Sequence, residues 1–317
     1  MMQFGLIGIG AGAAAALLFA SLASGSLLSV ILFYLAPLPV MIAGLGWSHW
    51  AALLAAAAGS LAIATVFGGV LFLAFIVGIG APAWWLCYLS ALARPVPAVA
   101  GQPALEWYPP GRLVLWAALA GALFAIVVSL SMAGFALDAE SFRATLATAF
   151  TRLFRVETGA AADNASRVID LLVTVVPVAA AVIATVTNVV NLWLAARVVK
   201  FSGRLARPWP DLTAMSFPPL AAAGLAVAVA LSLTGGMVAI LASIVAASLV
   251  MAYGVLGFSV LHALTQGQTS RPLLLGGVYA SVIVFGWPVV LLALLGLVET
   301  FFRLRARIAA RKGGPTV

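Results

Sequence analysis

The residue types that most often do chemistry are scarce in this sequence and lie far apart. The 317 residues include eight Asp and Glu, two His and one Cys. Asp170 and Glu299 fall at the ends of apolar segments, and His49 and His262 are separated by more than two hundred residues. A metal hydrolase or an intramembrane protease needs such groups in a cluster, and ion-coupled transport usually needs a carboxylate inside the membrane. The sequence therefore predicts a non-enzyme with no catalytic residues, no cofactor and no metal site.

Uncharged polar residues concentrate in one apolar segment, near 169–199. Thr187, Asn188 and Asn191 follow one another closely, and the two Asn are three residues apart, which places them on one face of a helix. An amide inside a bilayer must find a hydrogen-bond partner. Two roles remain open for these residues: hydrogen bonds between helices, or the lining of a cavity for a small molecule.

Small residues recur at four-residue intervals in the first apolar segment, and these are Gly8, Gly12, Ala16, Ala20 and Ser24. This spacing forms one stripe along a helix, against which another helix can approach closely. The stripe is a candidate helix-docking face. The spacing does not distinguish a helix of the same chain from a helix of another protein.

A basic loop follows the polar segment and places Arg204 and Arg207 beside Trp209. Basic and aromatic side chains of this kind favour the membrane surface, so the loop is interpreted as a contact for lipid headgroups or for a partner protein. The other basic residues also lie between apolar runs or at the C-terminus. The formal net charge of +8 therefore indicates membrane topology and headgroup contacts, and nucleic-acid binding is not expected.

Transmembrane helices are the elements that must position these side chains. Hydrophobic residues make up 65% of the chain and charged residues 8%, against roughly a quarter charged in soluble domains. A helix needs ~20 apolar residues to cross a bilayer, in which every backbone polar group must be paired. The apolar runs are too long and continuous for barrel strands. We expect an all-α, multi-pass bundle in a bacterial inner membrane, with eight to ten crossings.

Nine apolar segments divide the chain into two membrane blocks. Four belong to an N-terminal block at 1–93, where Pro37-Leu38-Pro39 should bend the second helix. A proline-rich loop at 94–112 separates this block from the C-terminal helices at 113–302, and a basic tail at 303–317 closes the chain. The nine segments lie near 4–23, 27–45, 49–66, 69–92, 113–135, 169–199, 217–234, 236–265 and 273–300.

The orientation depends on how the last segment is counted. An uninterrupted count places the basic loop and the basic tail on opposite sides, with nine basic residues on one side and seven on the other. A break at Gly286-Trp287-Pro288 would restore an even count, since proline removes a backbone donor. We expect the tail to be cytoplasmic.

An amphipathic helix is predicted near 140–156. Its apolar residues recur at helical spacing and basic residues fall between them, which is typical of a helix on a membrane surface. It is either a connector packed on the bundle or a lipid-sensing element. The residues are Phe142, Arg143, Leu146, Phe150, Arg152, Leu153, Phe154 and Arg155.

Several diffuse features together resemble one family. They are Pro37-Leu38-Pro39 after a helix of small residues, Asn191-Leu192-Trp193 running into Arg204 and Pro208, Gly257 to His262, and Gly296-Leu297 before Phe302-Arg303. With them the chain resembles the YybS-like membrane proteins, the domain of unknown function 2232 family, over most of its length. That family is distantly similar to the S components of energy-coupling factor transporters.

The resemblance implies a function as well as a fold. S components are small helical bundles that bind vitamins or metals, dock to a transmembrane partner through small residues of the first helix, and rely on separate ATPases for energy. The stripe from Gly8 to Ala20 would then be the docking face. S components usually have six helices, and the extra segments here depart from that pattern.

Two functions of different classes follow. The first is a transporter-component-like membrane protein that binds a small molecule or docks a partner, such as a transmembrane coupling subunit or another membrane protein. The alternative is a membrane scaffold or envelope-biogenesis factor with no transported substrate, which contacts lipid and proteins through the amphipathic helix and the basic loop.

Overall fold

The computed structural model describes residues 2–99, 102–153 and 162–311, and it is 82% helical. Seven helices within these ranges are long and apolar enough to cross a membrane. The predicted class, an all-α helical membrane protein, is confirmed at this level. The seven are Phe4–Ser24, Leu27–Gly46, His49–Phe67, Gly69–Ser90, Pro110–Met132, Ser166–Phe201 and Gly236–Leu264.

The N-terminal block contains two interrupted helices. The segment expected to bend at the prolines is split into two helices because Pro37 and Pro39 have no backbone N–H, and the amide of Leu38 donates to the carbonyl of Leu35, three residues back. A π turn at Ile76–Gly80 interrupts the fourth apolar segment. The helices are α1 (Met2–Ala20), α2 (Leu27–Tyr34), α3 (Pro37–Gly46), α4 (His49–Phe67), α5 (Gly69–Phe75) and α6 (Ala81–Ser90).

The segment expected to be a proline-rich loop forms a β-hairpin. Strand β1 (Ala93–Val99) pairs antiparallel with β2 (Gln102–Trp107), and Ala93 lies opposite Trp107. A two-stranded hairpin leaves an outer edge on each strand, where proline costs no ladder hydrogen bond. Arg94 and Glu106 form an exposed ion pair at 2.6 Å, which contributes little to stability.

Three helices follow the hairpin, and the amphipathic one is packed against the bundle. They are α7 (Pro110–Met132), α8 (Ala139–Leu153) and α9 (Ala162–Phe201). Helix α8 buries Phe142, Leu146 and Phe150 against Ile169 and Val173 of α9. Its apolar face is therefore covered by protein and not by lipid. Phe154 and Arg155 of the predicted helix lie outside the described residues.

Two long helices of the C-terminal block run parallel. Helices α10 (Pro219–Ser232) and α11 (Gly236–Leu264) follow α9. The hydroxyl of Thr185 on α9 donates to that of Ser248 on α11 at 3.3 Å, and one turn earlier Ala181 packs in a cluster with Ile244. Because α9 and α11 point the same way, the chain between them must return along the bundle. It does so as a loop at 202–218 and the 14 residues of α10.

The 202–218 loop is where several helix ends meet. Gly111, at the start of α7, packs against the backbone of Ser216. The amide of Gln266, just after α11, donates to the Thr213 hydroxyl at 3.5 Å. The hydroxyl of Ser259 donates to the carbonyl of Leu212 at 2.7 Å. The loop thus closes one end of the bundle.

The C-terminal helices return to that same end. The break expected near Gly286 is present: α12 (Arg271–Phe285) ends before this glycine, whose φ is 71°, and α13 (Pro288–Phe302) precedes α14 (Leu304–Arg311). Arg305 donates to the backbone carbonyls of Thr213 and Met215, the latter at 2.8 Å. The basic loop and the start of the basic tail therefore lie together.

Candidate functional site

Asn191 connects α9 to the proline break in the N-terminal block. Its amide donates to the backbone carbonyl of Tyr34 at 2.8 Å and to that of Thr187 at 2.8 Å. In a regular helix the Tyr34 carbonyl would accept from Leu38, whose N–H is instead bonded to Leu35. Asn191 therefore satisfies a carbonyl that the two prolines leave free, which is a hydrogen bond between helices.

Asn188 has a different environment although it lies one turn away. It is 1% exposed, and neither its amide nitrogen nor its amide oxygen has a partner among the described residues. A buried, unpaired amide costs about 1 to 3 kcal/mol. Neither Asn188 nor Asn191 lines either of the two cavities described below, whereas Thr187 lines the smaller one. The structure does not bring the three residues together around one cavity.

The small-residue stripe of α1 is covered by α4 of the same chain. A Cβ atom at Gly12 would meet the carbonyl oxygen of Ala55, and one at Gly8 would lie 2.9 Å from the side chain of Leu54. Ala16 is buried and Ala20 is partly buried. The close approach that the spacing predicts therefore takes place within the chain, and this face is not free for another protein.

The larger cavity has a volume of about 470 Å³ and lies between α7, α9, α11, α12 and the 202–218 loop. Its lining extends from Val189 to Ala196 along α9 and from Val255 to His262 along α11. Seven residues of helix rise about 10 Å, so the cavity follows the helices inward from the end closed by the loop. Most of its lining is apolar.

Polar side chains lie towards the loop end of this cavity. Arg207 lines it from the loop and donates to the carbonyl of Ser90 over a long 3.5 Å. His262 and Tyr279 also line it, with 3.0 Å between the imidazole Nε2 and the phenol oxygen. Burial lowers the pKa of the Arg207 guanidinium from its ordinary value, because the charged form loses hydration. Arg207 has no carboxylate partner in the part of the chain that the structure describes.

Two cations of α9 lie over the ring of Trp209 on the rim of the cavity. The guanidinium of Arg197 lies 4.8 Å and the ammonium of Lys200 5.0 Å from the centre of the Trp209 ring. Arg204 instead lies 4.6 Å from the ring of Trp47 and is not part of the cavity lining. The three residues predicted to act together are thus divided: Arg207 and Trp209 line the cavity, and Arg204 lies outside it.

Sequence reasoning did not identify the α11 and α12 side of the cavity. His262 and Tyr279 are 17 residues apart on different helices, and no short-range spacing relates them. Their one sequence signal is that each is a polar side chain within an apolar run. The stacking of Tyr279 on Phe258, with ring centres 4.8 Å apart, forms that wall.

A second cavity of about 360 Å³ lies in the N-terminal half of the bundle. Phe19, Phe33, Phe124 and Thr187 line it, together with Gly78 of the π turn. No charged residue lines it among those the structure describes. This cavity can accept apolar groups and offers little for recognition of a polar one.

Groups of three or more His, Cys, Asp or Glu that could hold a metal ion do not occur within residues 2–99, 102–153 and 162–311. Comparison of the chain with protein-family models, with curated proteins and with solved structures finds no match.

Proposed function

We propose that this chain is a membrane-embedded binding protein for a small, largely apolar molecule, of the transporter-component type, and that the molecule binds in the larger cavity. The observation that carries this proposal is a 470 Å³ cavity with an apolar interior and a few polar groups at one end. Ligand sites of proteins typically have this size and this composition. The bound molecule enters from the bilayer or from the adjoining surface.

Binding without chemistry agrees with the lining. The described residues around the cavity include one imidazole and no carboxylate. A nucleophile with its base, or a general acid paired with a base, needs at least two such groups in reach of one another. Our proposal is therefore a non-enzyme, and the same expectation from the sequence stays a prediction.

The proposal includes eight crossings. Seven are the long apolar helices, and the eighth is α10, whose 14 residues must return to the other end because α9 and α11 are parallel. Helices α12 and α13 have 15 residues each, also fewer than the ~20 of a usual crossing, and because α12 starts and α13 ends at the loop end, neither has to change sides. We regard them as a re-entrant pair that starts and finishes at the loop end.

Charge supports a cytoplasmic location for the loop end. Of the basic residues whose side chains the structure describes, ten lie there and three at the other end, a much stronger bias than the nine to seven of the sequence count. Basic residues are enriched on the cytoplasmic side of bacterial membrane proteins. The ten are Arg94, Arg112, Arg197, Lys200, Arg204, Arg207, Arg271, Arg303, Arg305 and Arg307, and the three are Arg143, Arg152 and Arg167.

A coupling subunit remains part of this proposal, but not through the α1 stripe, since α4 occupies that face. The YybS-like resemblance, and through it the relation to S components, stays a prediction. A coupling subunit would therefore have to dock on another, exposed surface of this chain.

The proposal is tested by filling the cavity. Ala196 lines it, so Ala196→Phe should remove a co-purified small molecule detected by native mass spectrometry. Val198 is 46% exposed and not part of the lining, so Val198→Phe is the matched control and should retain the molecule. The proposal fails if the unaltered protein carries no small molecule, or if both variants carry it equally.

One observation favours the alternative, a scaffold or envelope-biogenesis factor with no transported substrate. The β-hairpin lies at the loop end, and Leu105 on it is 58% exposed. An exposed leucine on a hairpin strand is a contact that a protein partner could use. Deletion of the hairpin with the cavity left intact would then abolish function, while the cavity-filling variant would retain it.

A further inference from the structure

We infer that the molecule bound in the larger cavity is an anionic amphiphile with a single apolar chain, and that Arg207 binds its carboxylate or phosphate headgroup. This inference rests on the proposed function and specifies its ligand. Three features of the site support it: the unused hydrogen-bond donors of Arg207, the charge around this residue, and the shape of the cavity.

Arg207 is a partly buried cation whose hydrogen-bonding capacity is largely unused. Its Nε atom is inaccessible to solvent and has no partner among the described residues. The Nη1 contact with the Ser90 carbonyl, at 3.5 Å, is at the limit of a hydrogen bond. A guanidinium offers five N–H donors in a planar fork that matches two oxygens of a carboxylate or phosphate. An anion in the cavity would compensate the charge that burial leaves unpaired.

The charges around Arg207 favour an anion as well. The rim carries Arg197 and Lys200, both next to the ring of Trp209. Asp211, the acidic residue of the same loop, is already engaged: its Oδ1 accepts from the backbone N–H of Thr213 at 2.8 Å and from the Thr213 hydroxyl at 2.7 Å. These bonds lower the pKa of Asp211 and hold its carboxylate within its own turn. No described carboxylate competes for Arg207.

The remainder of the cavity suits an apolar chain. Beyond the loop end the lining is formed by Val189 and Val190 of α9, Val114 of α7 and Val255 of α11. The long dimension follows the helix axes for about 10 Å. A headgroup at Arg207 therefore lies at the membrane surface, and the chain attached to it points inward among valines.

The test uses photoactivatable probes on the intact protein in detergent. Diazirine-bearing palmitic acid and hexadecyl phosphate provide the anionic heads, and diazirine-bearing hexadecanol is the uncharged match. We expect the unaltered protein to be labelled within 189–262 by the acids about tenfold better than by the alcohol, since hydrogen bonds to charged groups have that order of strength. Arg207→Gln should abolish the preference for the acids without reducing labelling by the alcohol. Arg207→Lys should restore part of the preference.

Arg204→Gln is the matched control, because Arg204 lies outside the cavity, and it should retain the preference. Equal labelling by acids and alcohol in the unaltered protein would overturn this inference and leave the proposed function standing. No labelling of 189–262 by any probe would overturn both. Protection by inorganic phosphate alone, as effective as protection by unmodified hexadecyl phosphate, would show a free-anion site and overturn the amphiphile.

Discussion

Asn188 and Asn191 lie on one helix face but differ in their hydrogen bonds. The Nδ2 of Asn191 donates to the Tyr34 carbonyl although its Oδ1 is unpaired, whereas neither amide atom of Asn188 has a partner among the described residues. A hydrogen bond that joins two membrane helices is typically worth about 0.6 kcal/mol and at most about 1.7. An unpaired buried amide is instead a cost to the folded state.

We therefore expect Asn191→Leu to destabilise the protein by about 1 kcal/mol and Asn188→Leu to be neutral or stabilising. Leucine branches at Cγ as asparagine does and has no polar atoms, and both variants add the same extra volume, so the comparison between them isolates the amide. Reversible unfolding in mixed detergent micelles, followed by tryptophan fluorescence, measures the difference. Equal losses in the two variants would contradict the distinct roles that the hydrogen bonds indicate.

The sequence identified these residues but could not assign their roles. Polarity within an apolar segment predicted that the amides matter, and spacing placed them on one face. The partner of Asn191 is a carbonyl 157 residues away, freed by Pro37 and Pro39. Nothing in the local pattern relates a proline break in one helix to an asparagine in another.

At the scale of elements, α8 (Ala139–Leu153) is the helix that lies in the stretch predicted to be amphipathic, and the sequence left open what surrounds it. The spacing of Phe142, Leu146 and Phe150 predicted one apolar face on the helix but not what covers that face. The structure places Met237 and Ile240 of α11, as well as α9, against that face. A connector packed on the bundle and a helix on the lipid surface have the same spacing of apolar residues. The sequence therefore could not distinguish a protein-covered face from a lipid-covered one.

Phe142→Ala should destabilise the protein by roughly 3 kcal/mol, the usual cost of truncating a fully buried aromatic side chain. Phe142 is 1% exposed, whereas Leu153 on the same helix is 65% exposed. Leu153→Ala is the control and should have almost no effect. Thermal unfolding in a single detergent gives both values. A neutral Phe142→Ala would mean that α8 is not held on the bundle in solution.

The hairpin at 93–107 was missed for an identifiable reason. Proline removes a ladder donor, so Pro95, Pro97 and Pro103 argue against strands in a sheet interior. A hairpin with no third strand has no interior, and that objection disappears. The pairing of Ala93 with Trp107 joins residues 14 positions apart, which the composition of the stretch does not reveal.

At the scale of the whole molecule, the apolar runs predicted the class of fold, and the contacts between helices changed its arrangement. With nine apolar segments, the basic loop and the basic tail would lie on opposite sides of the membrane unless the last segment were split into two helices. Arg305 bonded to the loop, together with α9 parallel to α11, places both at one end. These contacts join residues that are 63 and 92 positions apart in the sequence. A hydrophobic periodicity relates only residues of the same helix, so it could not predict them.

Cysteine labelling tests the eight proposed crossings. Cys87 is the one cysteine of the chain, so Cys87→Ala gives a clean background for single cysteines at the exposed positions Ser202, Thr234 and Gln268. We expect an impermeant maleimide to reach Thr234→Cys from the outside of intact cells, and the other two only after permeabilisation. Labelling of all three from the same side would show that α10 does not cross the membrane.

The hydrogen bonds of Arg305 bear on how the cavity lining could change during evolution. It holds the 202–218 loop by backbone carbonyls of Thr213 and Met215, both of which also line the cavity. Every residue has a backbone carbonyl, so the hydrogen bonds of Arg305 to the loop do not depend on which residues occupy these two positions. The Thr213 side chain is also held by Asp211 and Gln266, so the position at which a side chain can change while Arg305 keeps the wall in place is 215. New binding preferences can thus arise at position 215 without a matching change at Arg305.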